Sequence, residues 1–164
     1  MKETITSLAA AKGYTLPKVH YANTDFILYR VTGNLVYISG MVAQFEGKRP
    51  YIGKLGKDIS LEDGIEAAKL SALNILSWLR EAVGDDASRI ASCLKLGGFV
   101  ASTPSFTDQS KVISGASRLI VDVFGEKGKH TRTSVGVAVL PFDISVEIEA
   151  IFELHPKEDT PTKF

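Results

Sequence analysis

A single apolar stripe constrains the fold of this chain more than any other feature of its sequence. Between about Leu61 and Val83, apolar residues recur at steps of three and four, the spacing of an α-helix with one buried side. The stripe consists of Leu61, Ile65, Ala68, Ala72, Ile75, Leu76, Leu79 and Val83. Ser60 is a suitable N-cap, and Glu62 and Asp63 place negative charge at the positive end of the helix dipole. The sequence therefore predicts one long helix that other elements must cover.

Several segments with strand patterns are available to cover that helix. The last of them, Val146–Leu154, alternates apolar residues with glutamates, as a strand with one buried face does. Two β-rich runs, residues 26–31 and 35–39, flank a Gly-Asn pair that favours a hairpin turn. A further strand is predicted over about residues 89–101, and another precedes Pro141.

The order of these elements predicts an α+β fold. A second amphipathic helix is expected over residues 110–124, and a short one ends before Gly13. Strands combined with two main helices are typical of a domain in which the helices pack on one face of the sheet. No repeat or linker is visible, so residues 1–164 are expected to form one domain with its core at about 16–154. The polar tail, residues 155–164, is expected to be frayed.

The second face of the predicted sheet is too apolar to lie in open water. Ile151 sits among the outward-facing glutamates of the last strand, and the preceding strand contributes Val135, Val137 and Val139. Burying such a face against other copies of the chain is the economical solution. We therefore expect a homo-oligomer.

Charge and composition exclude several classes of protein. Lys plus Arg and Asp plus Glu both number 19, so the chain lacks the basic excess that most nucleic-acid-binding proteins use to neutralise phosphates. No apolar run is long enough to cross a bilayer, and no signal-peptide pattern opens the sequence. We expect a cytoplasmic protein with no membrane association and no nucleic-acid partner.

Metal binding and nucleophilic catalysis find no support in the residue pattern. The three histidines, His20, His130 and His155, are far apart and are interpreted as surface or loop residues. The single cysteine, Cys93, lies in an apolar stretch and is interpreted as a small buried hydrophobe. The sequence also lacks the Gly-x-Ser-x-Gly motif of a nucleophilic serine.

Arg132 is the ligand-binding candidate that remains. It stands at the entry to a predicted strand beside His130 and the hydroxyl residues Thr131, Thr133 and Ser134. A guanidinium in that position can present its planar fork to a carboxylate. Taken alone, an ordinary surface arginine is the simpler interpretation. The same holds for Glu147, whose outward position in the last strand is typical of a solvated carboxylate.

Three segments taken together favour a more specific interpretation. Residues 33–40 read GNLVYISG, and residues 132–141 read RTSVGVAVLP before VEIEA at 146–150. The arginine stands nine residues before Pro141 and Glu147 six after it. This pattern resembles the RidA/YjgF/L-PSP family, the reactive intermediate deaminases formerly called endoribonuclease L-PSP. Residues 106–109 and 112–117 resemble a less characterised branch, and the resemblance covers about 16–154.

The resemblance implies a chorismate mutase-like fold and a homotrimer with three ligand clefts between subunits. It implies an enamine/imine deaminase that hydrolyses 2-enamino and 2-imino acids to 2-oxo acids and ammonia without a cofactor or metal. Arg132 would anchor the substrate carboxylate and Glu147 would position the attacking water. Groups of Ser39 and Gly40 would line the cleft.

Some residues depart from the pattern of the deaminase members. Phe26 stands where many have tyrosine, although Tyr29 lies nearby, and Ser114 stands where they have asparagine. Met41 replaces a glutamine, while Ser134 keeps a hydroxyl beside the arginine. With these changes the resemblance implies a site that still binds a carboxylate but is larger or more apolar than one shaped for 2-aminoacrylate.

Two alternative functions stay open at this point. The same cleft could serve a non-catalytic protein that binds small carboxylates such as 2-oxo acids. An endoribonuclease, the activity in the older family name, is disfavoured by the neutral charge balance.

The spacing of Arg132 and Glu147 leads to one further expectation. If residues 140–145 join neighbouring antiparallel strands, Arg132 faces a position near Glu153. Glu147 would then lie roughly 20 Å away along the strand, at about 3.3 Å per residue. The two residues could share a site only if they came from different chains.

Overall fold

A five-stranded mixed sheet carries two long helices on one of its faces. The computed structural model describes residues 3–21 and 25–156. The strands are β1 (Tyr29–Thr32), β2 (Leu35–Val42), β3 (Ile90–Ala101), β4 (Thr131–Val137) and β5 (Val146–Leu154). The α-helices are α1 (Ile5–Ala11), α2 (Leu61–Val83) and α3 (Gln109–Phe124). This arrangement confirms the predicted α+β class. Most of the tail that was expected to be frayed lies outside the described residues.

The helix boundaries follow from the capping residues identified in the sequence. The Ser60 side chain accepts a hydrogen bond from the Asp63 amide at 3.0 Å, and α2 ends at Gly84 in the left-handed region. The predicted bounds of α2 are confirmed, and α3 begins one residue earlier than expected. Both helices pack side by side on the sheet, as the two-helix pattern predicted.

The strand order is β1-β2-β5-β3-β4. The Gly33 turn joins β1 and β2 in the expected antiparallel hairpin, with Gly33 at a φ of 55°. In contrast, the expectation that the last two strands are neighbours is wrong. β4 pairs in parallel with β3, and β5 pairs with the other side of β3.

A crossover and a turn explain that difference. β3, α3 and β4 form a strand–helix–strand unit, which places the two strands in parallel. The chain then passes through a short 3-10 turn, Pro141–Asp143, in which Phe142 and Asp143 both have positive φ. The Ala101 amide donates to Ser145 O at 2.9 Å, so this segment crosses the end of β3 instead of forming a tight hairpin.

The two faces of the sheet differ sharply. The helical face is buried beneath α2 and α3, and α1 adds Ile5 and Ala9 to this core, which therefore begins before residue 16. The other face, here called the open face, carries none of the helices within residues 3–21 and 25–156. Across it lie Tyr37, Lys95, Gly97, Phe99, Thr131, Thr133, Val135, Val137, Glu147, Glu149, Ile151 and Glu153.

Residues 3–21 and 25–156 contain neither a membrane-spanning helix nor a cluster of metal-binding side chains. None of the described helices is both long and apolar enough to cross a bilayer. In the same part of the chain, His, Cys, Asp and Glu side chains form no group of three placed to hold a metal ion.

Candidate active site

Arg132 is held by a row of serines on α3. Its Nη1 donates to Ser114 Oγ at 3.2 Å and to Ser117 Oγ at 3.0 Å. Its Nη2 donates to the carbonyl of Ser110 at 2.9 Å and to Ser110 Oγ at 2.6 Å. Serines spaced by four and three residues lie on one side of a helix, and they form the wall that faces β4. Arg132 is paired in register with Leu96 of β3, so both side chains project from the same face of the sheet. Leu96 is fully buried on the helical face, and Arg132 therefore points to that face as well.

The charge of this arginine has no counter-ion within the described ranges. No aspartate or glutamate there forms an ion pair with Arg132. Two residues further along β4, the buried hydroxyl of Ser134 lacks a hydrogen-bond partner in the same part of the chain. A cleft of about 430 Å³ opens beside the guanidinium, lined by Ser117, Val121, Lys129, His130 and Arg132. We call Arg132 with Ser110, Ser114, Ser117 and Ser134 the arginine half-site.

Glu147 lies on the open face, directly against Gly40. A Cβ atom on Gly40 would overlap Oε1 of Glu147, so the absence of a side chain allows this close approach. Burial raises the pKa of the Glu147 carboxyl above its ordinary value, and the negative charge of Glu149 on the same face adds to the effect. The result is a carboxylate that is more basic than an exposed glutamate.

The remaining predicted residues cluster around β1 and β2. Ser39 donates from Oγ to Ile27 O at 2.8 Å, which ties the segment before β1 to β2. Phe26 is 61% exposed. Tyr29 packs on the helical side against Trp78, with 6.2 Å between ring centroids.

Met41 is buried in the core, and it lines a second, smaller cleft. This cleft has a volume of about 180 Å³ and is also bordered by Gly40 and Trp78. We call Glu147 with Gly40, Ser39 and Phe26 the glutamate half-site; Tyr29, on the helical side, is not part of it.

One chain does not bring the two half-sites together. Arg132 pairs with Leu96 and Glu147 pairs with Phe99, so β3 lies between them. Their side chains also project from opposite faces of the sheet. The expected register, in which Arg132 would face a position near Glu153, is wrong, because β4 and β5 are not neighbours.

Sequence reasoning missed three residues around Arg132. Ser110 and Ser117 were not identified, although their spacing with Ser114 on one side of a helix is visible in the sequence. His130 was interpreted as a surface or loop residue. It does lie in the loop before β4, but in a partly buried position, with Nε2 2.9 Å from Ser117 Oγ.

Comparison with known proteins places this architecture in a family. Residues 6–154 match the family described as "YjgF/chorismate mutase-like, putative endoribonuclease". Protein TCP17 of Trypanosoma cruzi is 40% identical over 144 residues, which is 87% of this chain and 89% of that protein.

Two crystal structures share both sequence and fold with this chain. The protein Atu1372 of Agrobacterium tumefaciens, described as having unknown function, is 42% identical, with a TM-score of 0.86 over 92% of each chain. A protein of Shewanella oneidensis, described as a "putative endoribonuclease", is 32% identical, with a TM-score of 0.87. That match covers 92% of this chain and 99% of the other. The family match covers nearly the whole length of the chain, whose five-stranded sheet carries its helices on one face. The chain belongs to the YjgF/chorismate mutase-like family.

Proposed function

We propose that this protein is a cytoplasmic enamine/imine deaminase that hydrolyses reactive 2-enamino and 2-imino acids to 2-oxo acids and ammonia. The observation that carries the proposal is the set of hydrogen-bond partners around the Arg132 guanidinium. Its guanidinium is surrounded by neutral serine oxygens and lacks a carboxylate partner within the described residues. A substrate carboxylate that replaces one of these oxygens forms a charge-assisted hydrogen bond, which is stronger than the bond it replaces.

A homotrimer with clefts between subunits completes the proposed site. The open face exposes Tyr37 and Val135 by 44% and 39%, and such an apolar surface is suited to contact with another copy. Arg132 and Glu147 project from opposite faces of one sheet. The arginine half-site of one subunit would therefore meet the glutamate half-site of the next.

The proposed chemistry needs few groups. An enamine tautomerises to an imine, and water then adds to the imine carbon to give a carbinolamine. The hydroxyl proton of the carbinolamine then passes to the nitrogen, and breakage of the carbon–nitrogen bond releases ammonia and leaves the 2-oxo acid. Arg132 would orient the substrate through its carboxylate. Glu147, whose pKa is raised by burial, would accept a proton from the attacking water and return it to the leaving nitrogen.

The direct test supplies an imine generated in situ by an amino-acid oxidase and follows its disappearance with a trapping reagent. Wild-type protein should accelerate hydrolysis, and Arg132→Ala should abolish the acceleration. Arg132→Lys should rescue poorly, because an ammonium lacks the planar fork. Arg118→Ala is the matched control, since Arg118 is an exposed arginine on α3 and lies outside the arginine half-site. Full activity in Arg132→Ala would refute the proposal.

Two other outcomes would point to the alternative functions. A protein that binds 2-oxo acids through Arg132 without turnover would be a carboxylate-binding module. Cleavage of RNA that weakens steeply with added salt would favour an endoribonuclease, for which the neutral charge balance offers no support.

A further inference from the structure

A chain of hydrogen bonds connects the guanidinium of Arg132 to a backbone carbonyl. Nδ1 of His130 lies 2.6 Å from Gly128 O, and Nε2 lies 2.9 Å from Ser117 Oγ. Ser117 Oγ in turn lies 3.0 Å from Arg132 Nη1. The three side chains come from the two elements that form the arginine half-site and from the segment between them.

The chemistry of the groups fixes the direction of each bond. A carbonyl oxygen can only accept, so Nδ1 of His130 carries the proton. In the neutral ring, Nε2 then holds a lone pair and accepts the hydroxyl hydrogen of Ser117. The Ser117 oxygen is left with lone pairs for Arg132, which can only donate.

The Gly128 carbonyl, at the start of this series of hydrogen bonds, is held in a fixed position. Gly128 is buried, and a Cβ atom on it would come within 2.5 Å of Ile120 O in α3. Its carbonyl is therefore fixed relative to α3. Ser114 is fixed in a similar way, since its Oγ donates to Ser110 O at 2.9 Å. Nη1 thus has two acceptors whose hydrogens are already engaged elsewhere.

The contacts of Nη2 are different. Both go to Ser110, and both are exposed. No hydrogen bond joins Nε of Arg132 to another residue in the described part of the chain. The edge of the guanidinium formed by Nε and Nη2 is therefore the edge that an entering carboxylate can take, with displacement of Ser110.

We infer that Ser117 and His130 are positioning residues that hold Nη1 of Arg132, so that the Nε–Nη2 edge receives the substrate carboxylate in place of Ser110. This assignment rests on the proposed function for its substrate, but not for its geometry. It gives the serines of α3 opposite roles. Ser117 supports the bound arrangement, whereas Ser110 competes with the ligand.

The kinetic test uses Ser117→Ala, His130→Ala and the double variant. Each single variant should raise KM about tenfold with little change in kcat, because a carboxylate anchor contributes equally to ground-state and transition-state binding. The double variant should be no worse than the singles, since both act through one chain. Ser117→Thr keeps the hydroxyl and should retain a near wild-type KM.

Two comparisons separate positioning from a general structural role. Ser110→Ala should lower KM, because it removes the hydroxyl that competes for Nη2 and leaves only the Ser110 carbonyl to be displaced, and the exposed Ser105→Ala should leave KM unchanged. Loss of folded protein would instead reduce kcat per mole of total protein at constant KM. Additive losses in the double variant, or a higher KM in Ser110→Ala, would overturn the inference.

A readout that does not depend on catalysis distinguishes this inference from the proposed function. Nitrogen-15 NMR of the His130 ring should show the hydrogen on Nδ1, and calorimetry should show weaker binding of pyruvate to Ser117→Ala. Suppose that Ser117→Ala weakens pyruvate binding and the His130 hydrogen is on Nδ1, but the wild-type protein hydrolyses no imine. The deaminase proposal then fails, and the positioning role of Ser117 and His130 stands. A hydrogen found on Nε2 would refute the proposed series of hydrogen bonds from Gly128 to Arg132, even in an active deaminase.

Discussion

Glu147 occupies the space that a side chain on Gly40 would need. Gly40→Ala should therefore displace the carboxylate while leaving the backbone in place, because the atom to be moved is the far end of a flexible side chain. We expect kcat for imine hydrolysis to fall by roughly a hundredfold or more, since a positioned acid–base group typically contributes about 10²- to 10⁴-fold. Steady-state kinetics on the folded variant would measure the loss.

Gly97→Ala is a matched control for that change. A Cβ atom on Gly97 would come within 2.6 Å of Oε1 of Glu149 on the same face. Both variants add one methyl group beneath a glutamate, but only Gly40→Ala places it directly against Glu147. Equal losses in the two variants would show that Glu147 has no special role.

The second prediction concerns pH. Burial raises the pKa of Glu147, and the charge of Glu149 raises it further, so Glu149→Gln should lower it. If the ionised Glu147 is the base, kcat/KM falls as the pH drops through this pKa. The acid limb of the pH–rate profile should therefore move to lower pH in Glu149→Gln. A limb that stays in place would exclude Glu147 as the titrating base.

The same shift predicts the pH dependence of stability. A carboxyl group whose pKa is higher in the folded than in the unfolded state favours folding below its unfolded pKa. That contribution is lost as the pH rises through the folded pKa. Glu147→Gln should consequently be more stable than the wild type at neutral pH, with the difference shrinking in acid. Urea unfolding at several pH values would measure the difference, and a constant difference would contradict it.

The third prediction tests whether the site is shared between chains. Arg132→Ala and Glu147→Ala should each be inactive, and mixing them under subunit exchange should restore activity. With equal amounts and random exchange in a cyclic trimer, about one quarter of the clefts combine an intact arginine with an intact glutamate. Mixed trimers that demonstrably exchange and yet remain inactive would rule out a shared site.

The fourth prediction concerns the open face. Ile151→Glu should weaken self-association, because it places an unpaired charge beside Glu149 and Glu153 on the surface proposed to be buried. Light scattering at micromolar concentration should show a trimer for the wild type and smaller species for the variant. Val31→Glu, on a partly exposed valine outside the open face, should leave the trimer intact. A monomeric wild-type protein would refute the trimer.

The fifth prediction concerns the cysteine. Cys93 is buried, and burial raises the pKa of its thiol to about 12. Since the thiolate is the reactive form, native protein should resist alkylation at neutral pH and react only after unfolding. Mass spectrometry after iodoacetamide treatment would check this, and rapid labelling of the native protein would contradict the buried position.

Local sequence signals predicted most of the elements. The stripe over Leu61–Val83 and the alternation over Val146–Leu154 reproduce α2 and β5 with the observed bounds, because cap residues and periodicity act over a few neighbouring positions. The order of the strands in the sheet was harder to predict from the sequence. Short connections usually join neighbouring strands, and the segment after β4 does not follow that rule, because it crosses the end of β3, where Ala101 bonds Ser145, and leads to the other side of that strand.

The sequence named candidate residues for the site, and only part of their surroundings follows from local patterns. Ser114 was identified from a resemblance, and the structure places it against Arg132. The contribution of His130 depends on the position of the Gly128 carbonyl, which only the folded turn after α3 determines. Hydrogen-bond partners of this kind arise from packing, and no local pattern in the sequence specifies them.

The serines around Arg132 stand where water would otherwise solvate a cation. Four hydrogen bonds from the two terminal nitrogens end on protein oxygens, so this part of the hydration shell was exchanged when the chain folded. An anion that entered the cleft would meet a guanidinium whose Nη1 is already held by protein oxygens, while its Nε–Nη2 edge is still open to solvent. Its affinity then depends less on stripping water from the arginine than on how readily one serine gives up its place.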